Sequence, residues 1–327
     1  MTVLEDVPPV AHACAVPVGD EQLWEMTAGY LAEGIAAGER VLYFDDGRSG
    51  SLLQRLEDDR VAYRSAMRTG QFAIVPSSVT RALLSSSAGE LIAAVDAVVT
   101  ESLEQGYGSV RLMGDGSHGL AHDGGAMMID YESRLDTVLG PRPGKMLCAY
   151  DRGRYPEDVL HKLREVHRHE VVAPSIYDDS LLRITGPAPS TVRVAGEIDH
   201  SNRPRIRRVL DAALDEALRS HSSSSEITLD LSSLRFLDVA GAVSLVHAAE
   251  EFPSTHTLVL TGARPGVQRL LDRCGAPFAR QLRVEPRTPV DPWVPPVAGE
   301  AGAASGDAAS DDAASDVTGP DDAAAAS

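Results

Sequence analysis

The feature that most constrains this chain is the regular exchange, between residues 12 and 168, of short apolar runs and longer segments with helical periodicity. HACAV (12–16), VLYFDD (41–46), QFAIVPSS (71–78), SVRLMGDG (109–116) and KMLCAYD (145–151) are short and apolar and read as strands. Between and after them, QLWEMTAGYLAEGIAAG (22–38), SLLQRLEDD (51–59), ELIAAVDAVVTESLEQG (90–106), MMIDYESRLDTVL (127–139) and PEDVLHKLREVHR (156–168) repeat apolar residues at helical spacing. Continuous apolar strands separated by amphipathic helices require a mostly parallel sheet hidden on both faces. The expectation is a doubly wound α/β domain. Gly38 and Gly106 stand where a left-handed residue would end a helix before the next strand.

A second, shorter alternation follows a polar seam at 167–180, HRHEVVAPSIYDDS. STVRVAGEID (190–199), PRIRRVLDAALDEALRS (204–220), SEITLDLSSLRFLD (225–238), VAGAVSLVHAAEEF (239–252), HTLVLTGA (256–263) and PGVQRLLDRCG (265–275) predict a small α/β unit of strand, helix, strand, helix, strand, helix. Pro286, Pro289, Pro292, Pro295 and Pro296 then bar further helix or central strand, so folding is expected to stop near Glu285. From Val297 onward the chain is Ala, Asp, Ser and Gly with scarcely an apolar residue to bury, and it reads as a disordered acidic tail.

Charge and cysteine usage exclude several functions. A net charge of −18 over 327 residues argues against a sequence-independent grip on nucleic acid or anionic lipid. No membrane span or basic-then-apolar leader is legible, so a cytoplasmic location is expected. Cys14, Cys148 and Cys274 are widely spaced and form no CxxC pair, which indicates neither a disulfide framework nor a zinc knuckle. All three read as reduced thiols, and for Cys14 and Cys148, both in expected strands, burial as small apolar groups is the default, with a redox or metal role as the alternative.

No phosphate loop is present. Gly140-Pro-Arg-Pro-Gly-Lys145-Met146 is one residue too short, stiffened by proline and without the hydroxyl that would hold magnesium. Ligands of open parallel sheets lie beyond the carboxyl ends of the strands, and there the chain carries Asp45, Asp46, Asp115, Asp151 and Arg152. Each Asp also suits a helix cap or turn. His12 and Cys14, two apart on one strand, face the same side and form the sharper candidate pair. His118 and His122 stand in a Gly-rich stretch that reads as a loop, and His161, His167 and His169 read as a solvated helix face. No catalytic residue, metal ligand set or cofactor is nominated.

Two resemblances add to this. The string Gly196-Glu197-Ile198-Asp199, Pro204, Leu229-Asp230-Leu231, Phe236-Leu237-Asp238-Val239-Ala240-Gly241 and LVLTGARPGVQRLLDRCG resembles a STAS domain, placed at 188–286, the fold of anti-sigma-factor antagonists and of the cytoplasmic ends of sulfate transporters. That resemblance implies docking on an anti-sigma factor or related histidine-kinase-like protein through Asp199, Asp238, Val239, Ala240, Gly241 and Ser244. In such domains the helix start usually reads Asp-Ser-Ser-Gly, with a phosphorylated Ser that releases the partner. Here Val239 and Ala240 fill both serine positions, and neither can accept phosphate. Ser244, one turn on, reads as a packing residue.

His12-Ala-Cys14, LAEGIAAGERVLYFDD, GYGSVRLMGDG, IDYESRLDTVL and Leu147-Cys148-Ala-Tyr150-Asp151-Arg152-Gly-Arg154-Tyr155 look like a MEDS domain, the sensory module of methanogens and methylotrophs, placed at 10–172. That family is similar to the RecA-type ATPase fold without a working phosphate loop, and the resemblance implies a small-molecule ligand of hydrocarbon origin. The ligand-binding candidates are His12, Cys14, Asp45, Asp46, Asp115, Tyr150, Asp151 and Arg152. The expected architecture is therefore a RecA-like doubly wound domain, a linker at 173–187, a smaller α/β domain, and a Pro-rich exit and tail at 287–327. The leading reading is a non-enzymatic regulator without membrane or direct nucleic-acid contact. The alternative is a metal- or nucleotide-dependent enzyme built on the acidic strand ends.

Overall fold

A computed structural model describes the two-residue strand Thr2–Val3 and residues 12–116, 125–219 and 225–287. His118, His122 and the acidic tail lie outside the described residues.

The first sheet has seven strands, all paired in parallel. In chain order they are β1 (Thr2–Val3), β2 (His12–Ala15), β3 (Arg40–Phe44), β4 (Phe72–Val75), β5 (Val110–Asp115), β6 (Gly144–Ala149) and β7 (Glu170–Val172), and their spatial order is β1-β7-β2-β6-β5-β3-β4. The intervening helices are α1 (Asp20–Ala36), α2 (Ser49–Asp58), α3 (Tyr63–Arg68), α4 (Ser77–Leu84), α5 (Ala88–Glu104), α6 (Ala126–Leu139) and α7 (Glu157–Val166). Strand alternation divides the core in two. Ala13, Ala15, Val41, Tyr43, Met113, Leu147 and Ala149 pack with residues of α1, α2 and α3. Cys14, Leu42, Val110, Leu112, Met146 and Cys148 pack with residues of α4 to α7 on the other face. This is the doubly wound arrangement that the alternation demanded.

Gly38 and Gly106 have φ of 73° and 93°, the left-handed terminators expected after α1 and α5. At the start of α5, Ser87 and Glu90 form a reciprocal capping box. Two helices were missed. The segment read as one strand at 71–78 ends at Val75, and Pro76 then opens α4; the short α3 lies in a stretch with little periodicity. The polar seam likewise hides β7, which extends the first sheet beside β2.

The second sheet joins β8 (Tyr177–Asp178), β9 (Leu182–Ala188), β10 (Thr191–Ile198), β11 (Glu226–Asp230), β12 (Leu234–Leu237), β13 (Thr257–Ala263) and β14 (Leu282–Pro286). Its order is β14-β13-β11-β10-β9-β8, with β12 also paired to β10. The pairs β8·β9 and β9·β10 are antiparallel and the others parallel. The segment expected as linker, 173–187, therefore carries β8 and most of β9. Helices α8 (Arg203–Arg219), α9 (Val239–Glu250) and α10 (Pro265–Arg273) supply the apolar faces of a single core with Val192, Val194, Leu229 and Leu260.

The arginines of this second domain meet acids on α1 and at the end of α2 of the first. Arg193 bonds Asp59 and Arg235 bonds Glu21, while Arg183 Nε reaches Glu25 at 2.7 Å. Arg264 and Arg287 both donate to Asp58, at 2.8 and 2.6 Å. The join between the domains is thus strongly ionic, with acid on one side and base on the other.

Candidate functional site

The face of the first sheet covered by α6 and α7 holds a cluster that local sequence does not advertise. β2 points His12 and Cys14 to this face, and the parallel register sets Cys14 beside Cys148 on β6. Helix α6 lays a buried stripe of Met128, Tyr131, Glu132, Leu135 and Leu139 over the strands, so its carboxylate at Glu132 is carried inside. His167, the residue that ends α7, is also buried; its ring centroid lies 4.2 Å from that of His12.

The four groups converge. Glu132 Oε2 lies 2.8 Å from His12 Nε2, 3.4 Å from Cys148 Sγ and 3.5 Å from His167 Nε2, and Cys148 Sγ lies 3.6 Å from His12 Nε2. The outer partners orient them: His167 Nδ1 donates to the Leu163 carbonyl at 2.6 Å, His12 Nδ1 faces Asp136 Oδ1 at 3.3 Å, and Tyr150 donates its hydroxyl to Glu132 Oε1. His167 Nε2 is buried and makes no hydrogen bond. Burial works against an imidazolium at His12, but Cys148 and Glu132 outweigh it and raise its pKa to about 10. At His167 burial is likewise overcome by Cys14, Cys148 and Glu132, and the shift is again upward. Glu132, despite a burial that favours its neutral form, is pulled down to about 2 by the two histidines. The phenol of Tyr150 is pushed up by burial and by the neighbouring Glu132 and Cys148.

An apolar cavity of about 40 Å³ has Glu132, Cys148 and Tyr150 in its wall, with Thr80, Asp115 and Tyr131 its other polar lining; Phe44, Leu84, Leu91, Val95, Met128 and Met146 form much of the remainder. It is roomy enough for water or a very small ligand.

The acidic strand ends have a different surrounding. Asp45, Asp46 and Asp115 do come together at the carboxyl ends of β3 and β5, but Arg48 lies among them. Its Nε is 2.5 Å from Asp46 and its Nη2 2.7 Å from Asp115, and Nη1 reaches Asp20 at 3.1 Å. Asp45 serves the start of α2, accepting from the backbone of Gly47 and Ser49 at 2.9 Å each. Asp151 accepts from Gly153 N at 2.8 Å and pairs with Arg154, and Arg152 is exposed beside Glu157. Lys145 of the glycine-proline turn donates to Glu39 at 2.8 Å. Of the sequence candidates, then, His12, Cys14 and Tyr150 belong to the buried cluster, whereas Asp46 and Asp115 gather on Arg48 and Asp45 caps α2.

One residue of the buried cluster was misread and another, Glu132, was not nominated. His167 is not on a solvated face, because Val159, Leu160, Leu163 and His167 form one inward stripe of α7 and its end. That spacing was visible in PEDVLHKLREVHR, and in MMIDYESRLDTVL Glu132 falls at helical intervals from the apolar Met128, Leu135 and Leu139. His161 does remain exposed, 3.3 Å from Glu165.

In the second domain Asp199 and Asp238 end the paired strands β10 and β12, whose register matches Ile198 with Leu237. Asp238 caps α9 through Gly241 N at 2.6 Å and pairs with Arg203 at 3.1 Å. A Cβ on Gly241 would stand 2.8 Å from Leu237 and 2.9 Å from Asp238 Oδ1, so this close turn requires glycine. Val239 is 62% exposed and Phe236 49%, and Ala240 is exposed as well. Ser244 corrects the packing expectation: it too is exposed, its hydroxyl donating to the Ala240 carbonyl at 2.7 Å.

Comparison with known proteins places these two sites in context. Residues 11–168 match the family model described as the methanogen/methylotroph, DcmR sensory domain (MEDS), and residues 183–276 match a STAS domain model of the Mlab type. Among solved structures, an anti-sigma factor antagonist from Mycobacterium paratuberculosis is similar at 19% identity and a TM-score of 0.26, over 31% of this chain and 83% of that one. A KaiC-like protein from the hyperthermophilic archaeon Pyrococcus horikoshii is similar at 13% identity and a TM-score of 0.39, over 56% of this chain and 77% of that one. No curated protein matches the chain. Among the described residues no helix is long and apolar enough to cross a membrane.

Proposed function

We propose that this chain, which carries a MEDS sensory domain followed by a STAS domain, is a regulator whose STAS surface docks on an anti-sigma factor or a related histidine-kinase-like protein. The observation that carries this reading is the exposed apolar start of α9. Phe236, Val239 and Ala240 present an uncharged surface around the Asp238 cap, with Asp199 at the adjoining strand end. Exposed apolar groups gathered at one place mark a contact surface more readily than singly scattered ones.

Docking at this surface is not switched by phosphate at the usual positions, since Val239 and Ala240 lack a hydroxyl to accept it. Control comes instead from the first domain. The small cavity beside Glu132, Cys148 and Tyr150 receives the sensed molecule, and the ionic join through Glu21, Glu25, Asp58 and Asp59 links α1 and α2 to the second sheet. Arg48 among the strand-end carboxylates favours this regulatory role over an enzyme built on Asp46 and Asp115, because it already compensates their charge.

The test is a two-hybrid screen of the full chain against every anti-sigma factor with a kinase-like ATPase domain from the same cell, followed by affinity measurement with purified proteins. At least one partner is expected to bind, and Ala240→Glu is expected to weaken it by tenfold or more. Absence of binding across the set, or binding indifferent to Ala240→Glu, refutes the reading.

A further inference from the structure

We propose that His12, Glu132, Cys148 and His167 form a four-coordinate site for one divalent transition-metal ion inside the first domain, with Zn²⁺ the best chemical fit. This goes beyond the regulator reading and is independent of it. Among the described residues no other group of His, Cys, Asp and Glu side chains converges in this way.

The distances are those of a coordination shell with its centre missing. Zinc binds nitrogen and oxygen at about 2.0–2.1 Å and sulfur at about 2.3 Å, so the edges of a tetrahedral site measure roughly 3.3–3.6 Å. Three donor separations already fall there: 3.4 Å for Cys148 Sγ to Glu132 Oε2, 3.5 Å for His167 Nε2 to Glu132 Oε2, and 3.6 Å for Cys148 Sγ to His12 Nε2. Of the other three of the six separations, His12 Nε2 to Glu132 Oε2 at 2.8 Å must open by about half an ångström, and the two from His167 to His12 and Cys148 fall within the 4.8 Å that spans the whole group.

The outer partners point the same way. A ligating histidine ordinarily donates its second ring N–H to a carbonyl or carboxylate, which fixes the tautomer and turns the other nitrogen to the metal. His167 does this through Nδ1 to the Leu163 carbonyl, and its buried Nε2, facing the quartet, has no hydrogen bond. His12 has Asp136 beside Nδ1 and directs Nε2 inward, and Tyr150 holds the second oxygen of Glu132. Two imidazoles, a thiolate and a carboxylate are borderline-to-soft donors, unsuited to Mg²⁺ or Ca²⁺ and well suited to zinc. One thiolate and one carboxylate also neutralise a divalent ion, which an interior with no solvent to share the charge demands. Glu132 and Cys148 line the apolar cavity as well, so the ion would stand in its polar wall.

The test uses the full chain, stripped with a chelator and titrated with Co²⁺ under a phosphine reductant, then with Zn²⁺. One equivalent of cobalt is expected, with a thiolate-to-cobalt charge-transfer band and the intense visible bands of four-coordination, displaced by one equivalent of zinc. Cys148→Ala should remove the charge-transfer band and His167→Gln should weaken zinc binding at least tenfold. Asp136→Asn, acting through His12, should cost about 10–100-fold in affinity. Cys274→Ser, outside the cluster, should change nothing. Circular dichroism establishes that each variant is folded; where one is not, the wild-type cobalt spectrum decides. A folded wild-type chain that takes up neither ion, or a charge-transfer band that survives in Cys148→Ala, overturns the proposal.

Discussion

Replacing Asp58 by Ala should loosen the join between the two domains. Its side chain is 3% exposed and accepts from Arg264 at 2.8 Å and from Arg287 at 2.6 Å, so one carboxylate compensates two cations of the second domain. Removing one partner of a buried ion pair costs about 3–5 kcal/mol, because a charge is left in the interior without compensation. The two guanidinium side chains keep 27% and 23% of their exposure, and water can partly re-solvate them. A value at or below the bottom of that range is therefore the relevant one, about 2–3 kcal/mol at low salt. Denaturant unfolding at low and at high ionic strength reads this directly. The loss should shrink in high salt, because the Asp58 pairs with Arg264 and Arg287, present only in the parent, are screened there, whereas screening of Arg193–Asp59 and Arg235–Glu21 cancels between the two proteins. A cycle with Arg264→Ala should show coupling of about 1 kcal/mol or more, since the two groups touch. A loss below about 0.5 kcal/mol, the level of an exposed pair, together with no coupling, would refute the view that these carboxylates hold the domains together.

Other outcomes follow from the same geometry. Gly241→Ala should destabilise the second domain by about 1–3 kcal/mol in thermal unfolding, because its Cβ would press on Leu237 and Asp238. Ala240→Ser should create a phosphate acceptor at a helix N-terminus, measurable as phosphate incorporation with the partner kinase and ATP, whereas the wild type should take none at positions 239 and 240. Glu39→Gln should cost about 3 kcal/mol near neutral pH. Burial opposes the Glu39 carboxylate, but Arg111 and Lys145 hold its pKa below the ordinary 4.5. Its contribution is thus complete above that value and fades as pH falls through the lowered one, so the difference between the two proteins should narrow in acid. Truncation after residue 287 should leave the melting temperature unchanged within error, as the removed segment is rich in Pro and then in Ala, Asp, Ser and Gly, with Trp293 and four valines its only large apolar side chains.

The layered plan was legible because periodicity is a local property. Runs such as VLYFDD and KMLCAYD can satisfy their apolar side chains only as buried strands, and the glycines at 38 and 106 mark where the helices between them must end. The missing phosphate loop and the two absent serines at 239 and 240 were equally plain, since each is a matter of which atoms a residue has. Short elements were not. α3 and α4 span six and eight residues, too few to show a period, and β7 takes its place through pairing with β2 across more than 150 positions. The candidate metal site required the fold itself. His12 and Glu132 are 120 residues apart, and they meet because a parallel register aligns β2 with β6 while α6 crosses that face. Tertiary structure also decided the fate of the acids at the strand ends. Their positions follow from the strands, but charge compensation is set by whichever side chain reaches them in space, and Arg48 occupies that place.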